Sequence, residues 1–98
     1  MRTFKMPFPT TRGALEQTLL ALRYTPSYGK NEFGFPFVEY FHKESGACVS
    51  LRVVPADEAL TPADLLSAEH SVEWWGISDL KTFYHLLREA TPMEAQVA

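Results

Sequence analysis

Cysteine is almost missing from this sequence: Cys48 is the only one among 98 residues. A single thiol cannot form an intramolecular disulfide or supply a cysteine-based zinc site, so a hydrophobic core must stabilise the fold. Long apolar stretches are missing too. No segment approaches the ~20 apolar residues of a membrane helix, and no signal-like apolar run follows residues 1–7. These absences predict a cytoplasmic protein without membrane association.

Motifs for catalysis and cofactor binding are also missing. His42, His70 and His85 are too far apart for a metal-ligand motif, and the glycines form no phosphate-binding loop. The adjacent carboxylates Asp57 and Glu58 fall in a polar loop, where such pairs are normally just solvated. The sequence therefore predicts a non-enzymatic protein with no catalytic residues, no metal site and no cofactor.

The chain has enough apolar residues, 46% in all, to form one hydrophobic core. We predict a single domain over residues 1–91 and a frayed tail over residues 92–98. The apolar pattern and the helix and turn signals predict seven elements within the domain. In chain order these are a strand around Phe4, Met6 and Phe8, a helix from Thr10 or Thr11 to about Arg23, strands over 35–43 and 47–54, a helix over 62–69 that starts at Thr61-Pro62, a strand around Val72 and Trp74, and a helix capped by Ser78 and ended by Thr91-Pro92.

This order predicts an α+β fold with a small antiparallel sheet and helices on one face. The first six elements also follow the β-α-β-β-α-β order of a ferredoxin-like sheet, to which the last helix is added. Residues 24–34 are predicted to be a loop, because they are rich in proline, glycine and polar residues.

Two registers are open for the central hairpin. A two-residue turn at Ser45-Gly46 places Glu39 opposite Arg52, and we favour it because both faces of the hairpin are then well matched. A four-residue turn keeps the same side chains on each face but loses the Glu39–Arg52 pair.

Acidic residues are concentrated in one third of the chain. Residues 53–80 contain no lysine or arginine, whereas residues 1–52 contain seven basic and four acidic side chains. The six carboxylates of the acidic segment are Asp57, Glu58, Asp64, Glu69, Glu73 and Asp79. Such asymmetry favours association with a basic partner and says little about the fold.

Aromatic residues are concentrated between residues 24 and 41, which hold seven of the thirteen in the chain. They suit a core that includes Phe35 or Phe37 with Tyr40, or a protein-binding surface that exposes Tyr28 and Phe33. Direct nucleic-acid binding is disfavoured, because the basic residues nearby are nearly balanced by acidic ones.

The Trp74-Trp75 pair is the other aromatic feature. Adjacent residues of a strand point to opposite faces, so a one-sheet domain easily buries at most one of the two indoles. An exposed indole beside acidic residues is typical of an interface. The predicted partner-binding residues are Asp57, Glu58, Asp64, Glu69, Glu73, Trp74, Trp75, Tyr28 and Phe33.

Three functions remain open. The first, which we favour, is a small acidic inhibitor or immunity-type protein that binds the basic surface of a nucleic-acid-handling partner. The second is a homodimeric ferredoxin-like module that binds a small ligand or serves as a subunit of a larger assembly. The third is an enzyme whose site is assembled from Glu39, Tyr40, His42 and Arg52.

Overall fold

The computed structural model describes residues 6–96. Its elements are, in chain order, helix α1 (Arg12–Ala21), strands β1 (Tyr24–Lys30), β2 (Pro36–His42) and β3 (Cys48–Arg52), and helices α2 (Pro62–Trp74), α3 (Leu80–Ala90) and α4 (Met93–Gln96). The strands form one antiparallel sheet in the order β1-β2-β3. The predicted α+β fold with a small antiparallel sheet is confirmed.

The sheet buries one face and exposes the other. On the central strand β2, Val38 and Tyr40 are buried, whereas Phe41 points the opposite way and is partly exposed. This alternation is expected for a sheet that is covered on one side only. Helix α1 contacts β1 and α2 contacts β3, so these two helices cover the buried face.

Helix α3 contacts α1 and α2 and closes the core behind them. Its side chains Phe83 and Leu87 are fully buried. Burial of such a side chain contributes about 1.5–3 kcal/mol to folding. The core is therefore shared between the sheet, the two covering helices and this third helix.

Helices α1 and α2 both begin at a threonine cap. The Thr11 hydroxyl accepts a hydrogen bond from the Ala14 N–H, and the Thr61 hydroxyl accepts one from the Asp64 N–H, each at 3.2 Å. Pro62 occupies the first turn of α2, where its missing N–H costs nothing. The helix starts predicted at these two threonines are confirmed.

Helix α3 begins one residue later than predicted. Asp79, and not Ser78, is its cap, because the Asp79 carboxylate accepts the Thr82 N–H at 2.6 Å. Thr91 caps the C-terminal end, as expected from the proline that follows it. One further helical turn, Met93–Gln96, lies within the segment expected to be frayed.

The loop predicted over residues 24–34 is correct only for residues 31–34, because Tyr24–Lys30 form β1. The bond from the Asn31 N–H to the Phe35 carbonyl, 2.9 Å long, indicates that the odd-numbered residues of β1 bond to β2. The nitrogen of Pro26 therefore points to the outer edge, where it interrupts no bond of the sheet. Pairing with β2 overrides the turn-forming tendency of proline and glycine in this segment.

Helix α2 is longer than predicted and replaces the strand expected around Val72 and Trp74. Val72 follows Ala68 by four residues and is fully buried, so it continues the apolar side of the helix. Trp75 caps the helix, and Gly76 follows in the left-handed region with φ 66°. The strand prediction was wrong here because β-branched and aromatic residues also suit a packed helix.

The ferredoxin-like order is not confirmed. The described residues contain three strands, and none of these lies between α2 and α3. Phe4, from the predicted first strand, lies outside the described residues, and residues 6–10 form no strand.

The β2–β3 hairpin adopts the four-residue turn, and the favoured two-residue turn was wrong. Glu39 lies opposite Ser50, and Arg52 lies opposite Phe37. The buried and exposed faces are nevertheless those predicted, because the two registers differ by an even number of residues.

Side chains within the turn explain this register. The Ser45 N–H donates to His42 Nδ1 at 3.3 Å, and Ser45 Oγ lies 2.8 Å from the same nitrogen. The Gly46 N–H donates to the His42 carbonyl at 2.8 Å, and Gly46 has φ 83°. The longer turn therefore needs a residue that tolerates the left-handed region.

We expect Gly46→Ala to destabilise the protein by about 1–2 kcal/mol, because a side chain is strained in the left-handed region. No atom lies within 4 Å of the position that a Cβ would take, so the cost is backbone strain alone. Gly46→Asn should cost less, since asparagine tolerates this conformation. Urea unfolding of the parent protein and the two variants measures their free energies of unfolding, and equal values would contradict the assigned turn.

Candidate functional site

One side of α2 stays exposed although it carries large apolar side chains. Leu66, His70 and Trp74 follow at intervals of four residues, which places them along one side of the helix. Leu66 is 46% exposed and Trp74 is 74% exposed, and the centres of the His70 and Trp74 rings are 6.0 Å apart. We call these three residues the α2 ridge.

Two carboxylates accompany the α2 ridge. Glu69 and Glu73 line a groove of about 400 Å³ that Leu66 and His70 also border. Glu69 accepts a hydrogen bond from the Tyr84 hydroxyl of α3. Glu73 has no ion-pair partner among residues 6–96, so its charge is free to attract another molecule.

Three other carboxylates of the acidic segment make structural contacts. Glu58 lies 3.9 Å from Arg52, and Asp64 lies 3.9 Å from Arg12. Asp79 caps α3, and the hydrogen bond from the backbone N–H of Thr82 lowers the pKa of its carboxyl group. Contacts within the protein therefore involve these three of the six carboxylates of the acidic segment.

Asp57 lies in the turn before α2 and is exposed. It has no ion-pair partner in the part of the chain that the structure describes. Its charge is therefore unneutralised, but it belongs to a different element from the α2 ridge.

Arg12 places a positive charge in the core. The residue is 1% exposed, and its Nε and Nη1 atoms have no hydrogen-bond partner in the described region. Asp64 is the carboxylate that approaches it, with 3.9 Å between Nη1 and Oδ2. Removing one partner of such a pair leaves an uncompensated charge, so this contact gives Asp64 a structural role.

We expect Asp64→Asn to destabilise the protein by roughly 3 kcal/mol, because the Arg12 charge then remains buried without a counter-charge. The double variant Arg12→Met/Asp64→Asn should be more stable than the sum of the two single effects predicts. Urea unfolding of the parent protein, the single variants Arg12→Met and Asp64→Asn, and the double variant gives the coupling energy. Strict additivity would show that the two side chains do not stabilise each other.

The remaining predicted aromatic residues are exposed but lie on other elements. Tyr28 belongs to β1, and Phe33 lies in the turn between β1 and β2. Trp75 lies beyond the last turn of α2 and lines a different cleft, together with His42 and Ser45. The structure thus brings part of the predicted set together, on α2, and leaves the rest on separate surfaces.

The aromatic segment contributes to the core through Tyr40, as predicted, but Phe35 is 66% exposed and Phe37 lies on the opposite face of β2 from Tyr40. Tyr24 and Tyr40 are buried, and the Tyr24 hydroxyl lies 2.8 Å from Ser71 Oγ on α2. Burial raises the pKa of Tyr24, and it raises the pKa of Tyr40 to about 12. Burial and the hydrogen bond to Glu69 raise the pKa of Tyr84 as well.

We expect the protein to lose stability as the pH rises above 10.0, the ordinary pKa of a tyrosine. A tyrosine whose pKa is raised by folding holds its proton more tightly in the folded state, so its contribution is complete below that pH and disappears above it. For Tyr40 the loss runs from 10.0 to about 12. Thermal unfolding across this range should show a shallower decline for Tyr40→Phe, whereas identical slopes would refute the assignment.

The residues expected to assemble an enzyme site do not converge. Tyr40 and His42 lie on the buried face of the sheet, whereas Glu39 and Arg52 lie on the other face. No three His, Cys, Asp or Glu side chains within residues 6–96 are placed to hold a metal ion together. Cys48 is exposed on β3, and partial burial raises the pKa of its thiol.

Leu66 and His70 are the ridge residues that the sequence reasoning missed. The predicted helix ends at residue 69 and places Trp74 on a strand, so it does not align Trp74 with Leu66 and His70. The signal that identifies them is the four-residue spacing of 66, 70 and 74 once the helix is extended.

Comparison with known proteins returns no match: no family model, curated protein or solved structure is significantly similar to this chain. Between residues 6 and 96, no helix combines the length and the apolar character that crossing a membrane requires.

Proposed function

We propose that this protein is a non-enzymatic protein-binding module whose α2 ridge, with Glu69 and Glu73, holds a basic segment of a partner protein. The exposure of Trp74 supports this most directly, because 74% of a tryptophan side chain lies in water beside unpaired Glu73. Tryptophan is enriched among the residues that dominate binding energy at protein interfaces.

The dimensions of the α2 ridge suit a short segment of a partner. Trp74 lies eight positions after Leu66, which corresponds to about 12 Å along the helix axis. Two turns of an amphipathic partner helix cover this length, with apolar side chains on the ridge and basic ones toward the carboxylates.

The charge on α2 favours a basic protein over a nucleic acid. Asp64, Glu69 and Glu73 are the charged residues of this helix apart from His70, and residues 53–80 contain no lysine or arginine. Carboxylates repel phosphate groups and attract lysine and arginine over several ångströms. We propose more specifically that the protein is an inhibitor or immunity-type protein, which covers a basic, nucleic-acid-handling surface of its partner.

The test uses a synthetic amphipathic peptide with leucine on one face and lysine and arginine on the other. The chain contains two tryptophans, so Trp75→Phe leaves Trp74 as the single indole fluorophore. We expect saturable binding with a blue shift of Trp74 emission, since the peptide removes water from the indole. Added salt should weaken the binding, because screening acts on the exposed carboxylates.

Two variants and one matched control locate the binding surface, with binding measured by the anisotropy of a fluorescently labelled peptide, because the Trp74 variant lacks the reporting indole. Trp74→Ala should weaken binding by about thirtyfold, as expected for the loss of a central interface tryptophan. Glu73→Lys should also weaken it, whereas Glu32→Lys makes the same charge change in the turn between β1 and β2 and should have little effect. Equal losses from both lysine variants, or unchanged binding by the Trp74 variant, would exclude the α2 ridge as the site.

A further inference from the structure

The sheet has two outer edges, and they differ in their protection against pairing with another strand. On β1, the nitrogen of Pro26 points outward, so the middle of this edge lacks a donor. On β3, the sequence Cys-Val-Ser-Leu-Arg contains neither proline nor lysine, the residues with which natural proteins often protect an edge. The β3 edge is therefore the open one.

The pairing register shows which groups β3 presents at this edge. The bond from the His42 N–H to the Ala47 carbonyl, 2.8 Å long, sets the alternation along the hairpin. Val49 and Leu51 consequently bond to β2, and the residues between and beside them direct their N–H and C=O groups outward. These outward residues are Cys48, Ser50 and Arg52. Their side chains are exposed, and their backbone groups have no backbone partner within residues 6–96.

We propose that the β3 edge pairs with the β3 edge of a second copy of this chain, antiparallel about a two-fold axis at Ser50. Ser50 then lies opposite Ser50 of the second copy, and Cys48 lies opposite its Arg52. By symmetry, Arg52 lies opposite Cys48 of the second copy, which makes three residue pairs. Each pair exchanges two backbone hydrogen bonds, so every outward backbone group of the strand is satisfied. The product is a continuous six-stranded sheet with isologous contacts.

Avoidance of like charges favours an axis at Ser50 over one at Arg52. An axis at Arg52 brings two guanidinium groups face to face, whereas an axis at Ser50 keeps them on opposite sides. The contact between Arg52 and Glu58 is 3.9 Å long and lies at the surface, with both side chains well exposed. Such pairs contribute little, so Arg52 can adjust to the second copy.

Disulfide trapping tests the register directly. In a Cys48→Ser background, Ser50→Cys should form an intermolecular disulfide under mild oxidation, because opposed residues of a hydrogen-bonded pair have Cα atoms roughly 5.5 Å apart. Ser27→Cys in the same background is the control. Ser27 and Ser50 are both exposed and both lie opposite Glu39, but Ser27 belongs to the edge that Pro26 interrupts.

The unmodified Cys48 provides a second control on the register. In the proposed dimer the two Cys48 residues are offset by four positions along the strands, or roughly 14 Å, which is too far for a disulfide. We therefore expect efficient trapping through position 50 and little trapping through Cys48 or through position 27.

Sedimentation equilibrium tests the association without oxidation. The parent protein should show a concentration-dependent dimer, and Ser50→Lys should weaken it on the order of tenfold, because two lysines then face each other. Ser27→Lys places the same charge beside the same Glu39 and should leave the dimer unchanged. A parent that stays monomeric, equal trapping at positions 27 and 50, or an edge that binds only a different protein would overturn the proposal.

Discussion

The contact between the buried Arg12 guanidinium and Asp64 links the start of the first helix to the start of the second. Arg12 begins α1, and Asp64 lies in the first turn of α2. The backbone reinforces the contact, because the Arg12 N–H donates to the Glu58 carbonyl at 2.9 Å and residues 56–60 lie along the start of α1. Since a buried cation without its counter-charge is costly, the start of α2 is held in one place. From this start, α2 buries Leu65, Ala68 and Val72 and leaves Leu66 and Trp74 exposed.

This constraint separates two uses of negative charge within one helix. Asp64 points toward the core and compensates Arg12, whereas Glu73 lies on the outer side beside Trp74. The acidic run in the sequence is thus not one functional unit, because part of it stabilises the fold. The proposed binding surface is smaller than the run suggests, because it contains Glu69 and Glu73 together with the exposed Leu66 and Trp74.

Local signals predicted the parts of the fold that local chemistry determines. The Thr61 cap with Pro62 identified the start of α2, and the alternation along β2 and β3 identified the buried face of the hairpin. The predicted register of the β2–β3 hairpin was wrong because the register depends on contacts of His42 within the turn, which residue spacing alone does not reveal. Strand β1 was missed because Pro26 discourages a strand everywhere except at an outward-facing edge position. The α2 ridge was missed for a related reason, since its residues share one surface only in a helix that reaches Trp74.

We propose the outer side of α2 as a binding surface for basic protein segments. Amide chemical-shift mapping with a basic amphipathic peptide tests it most directly, because it compares every described surface in one measurement. We expect the largest chemical-shift changes at residues 66–74, and we expect them to disappear at high salt. Perturbations centred on the exposed face of the sheet or on α3, with α2 unchanged, would contradict it.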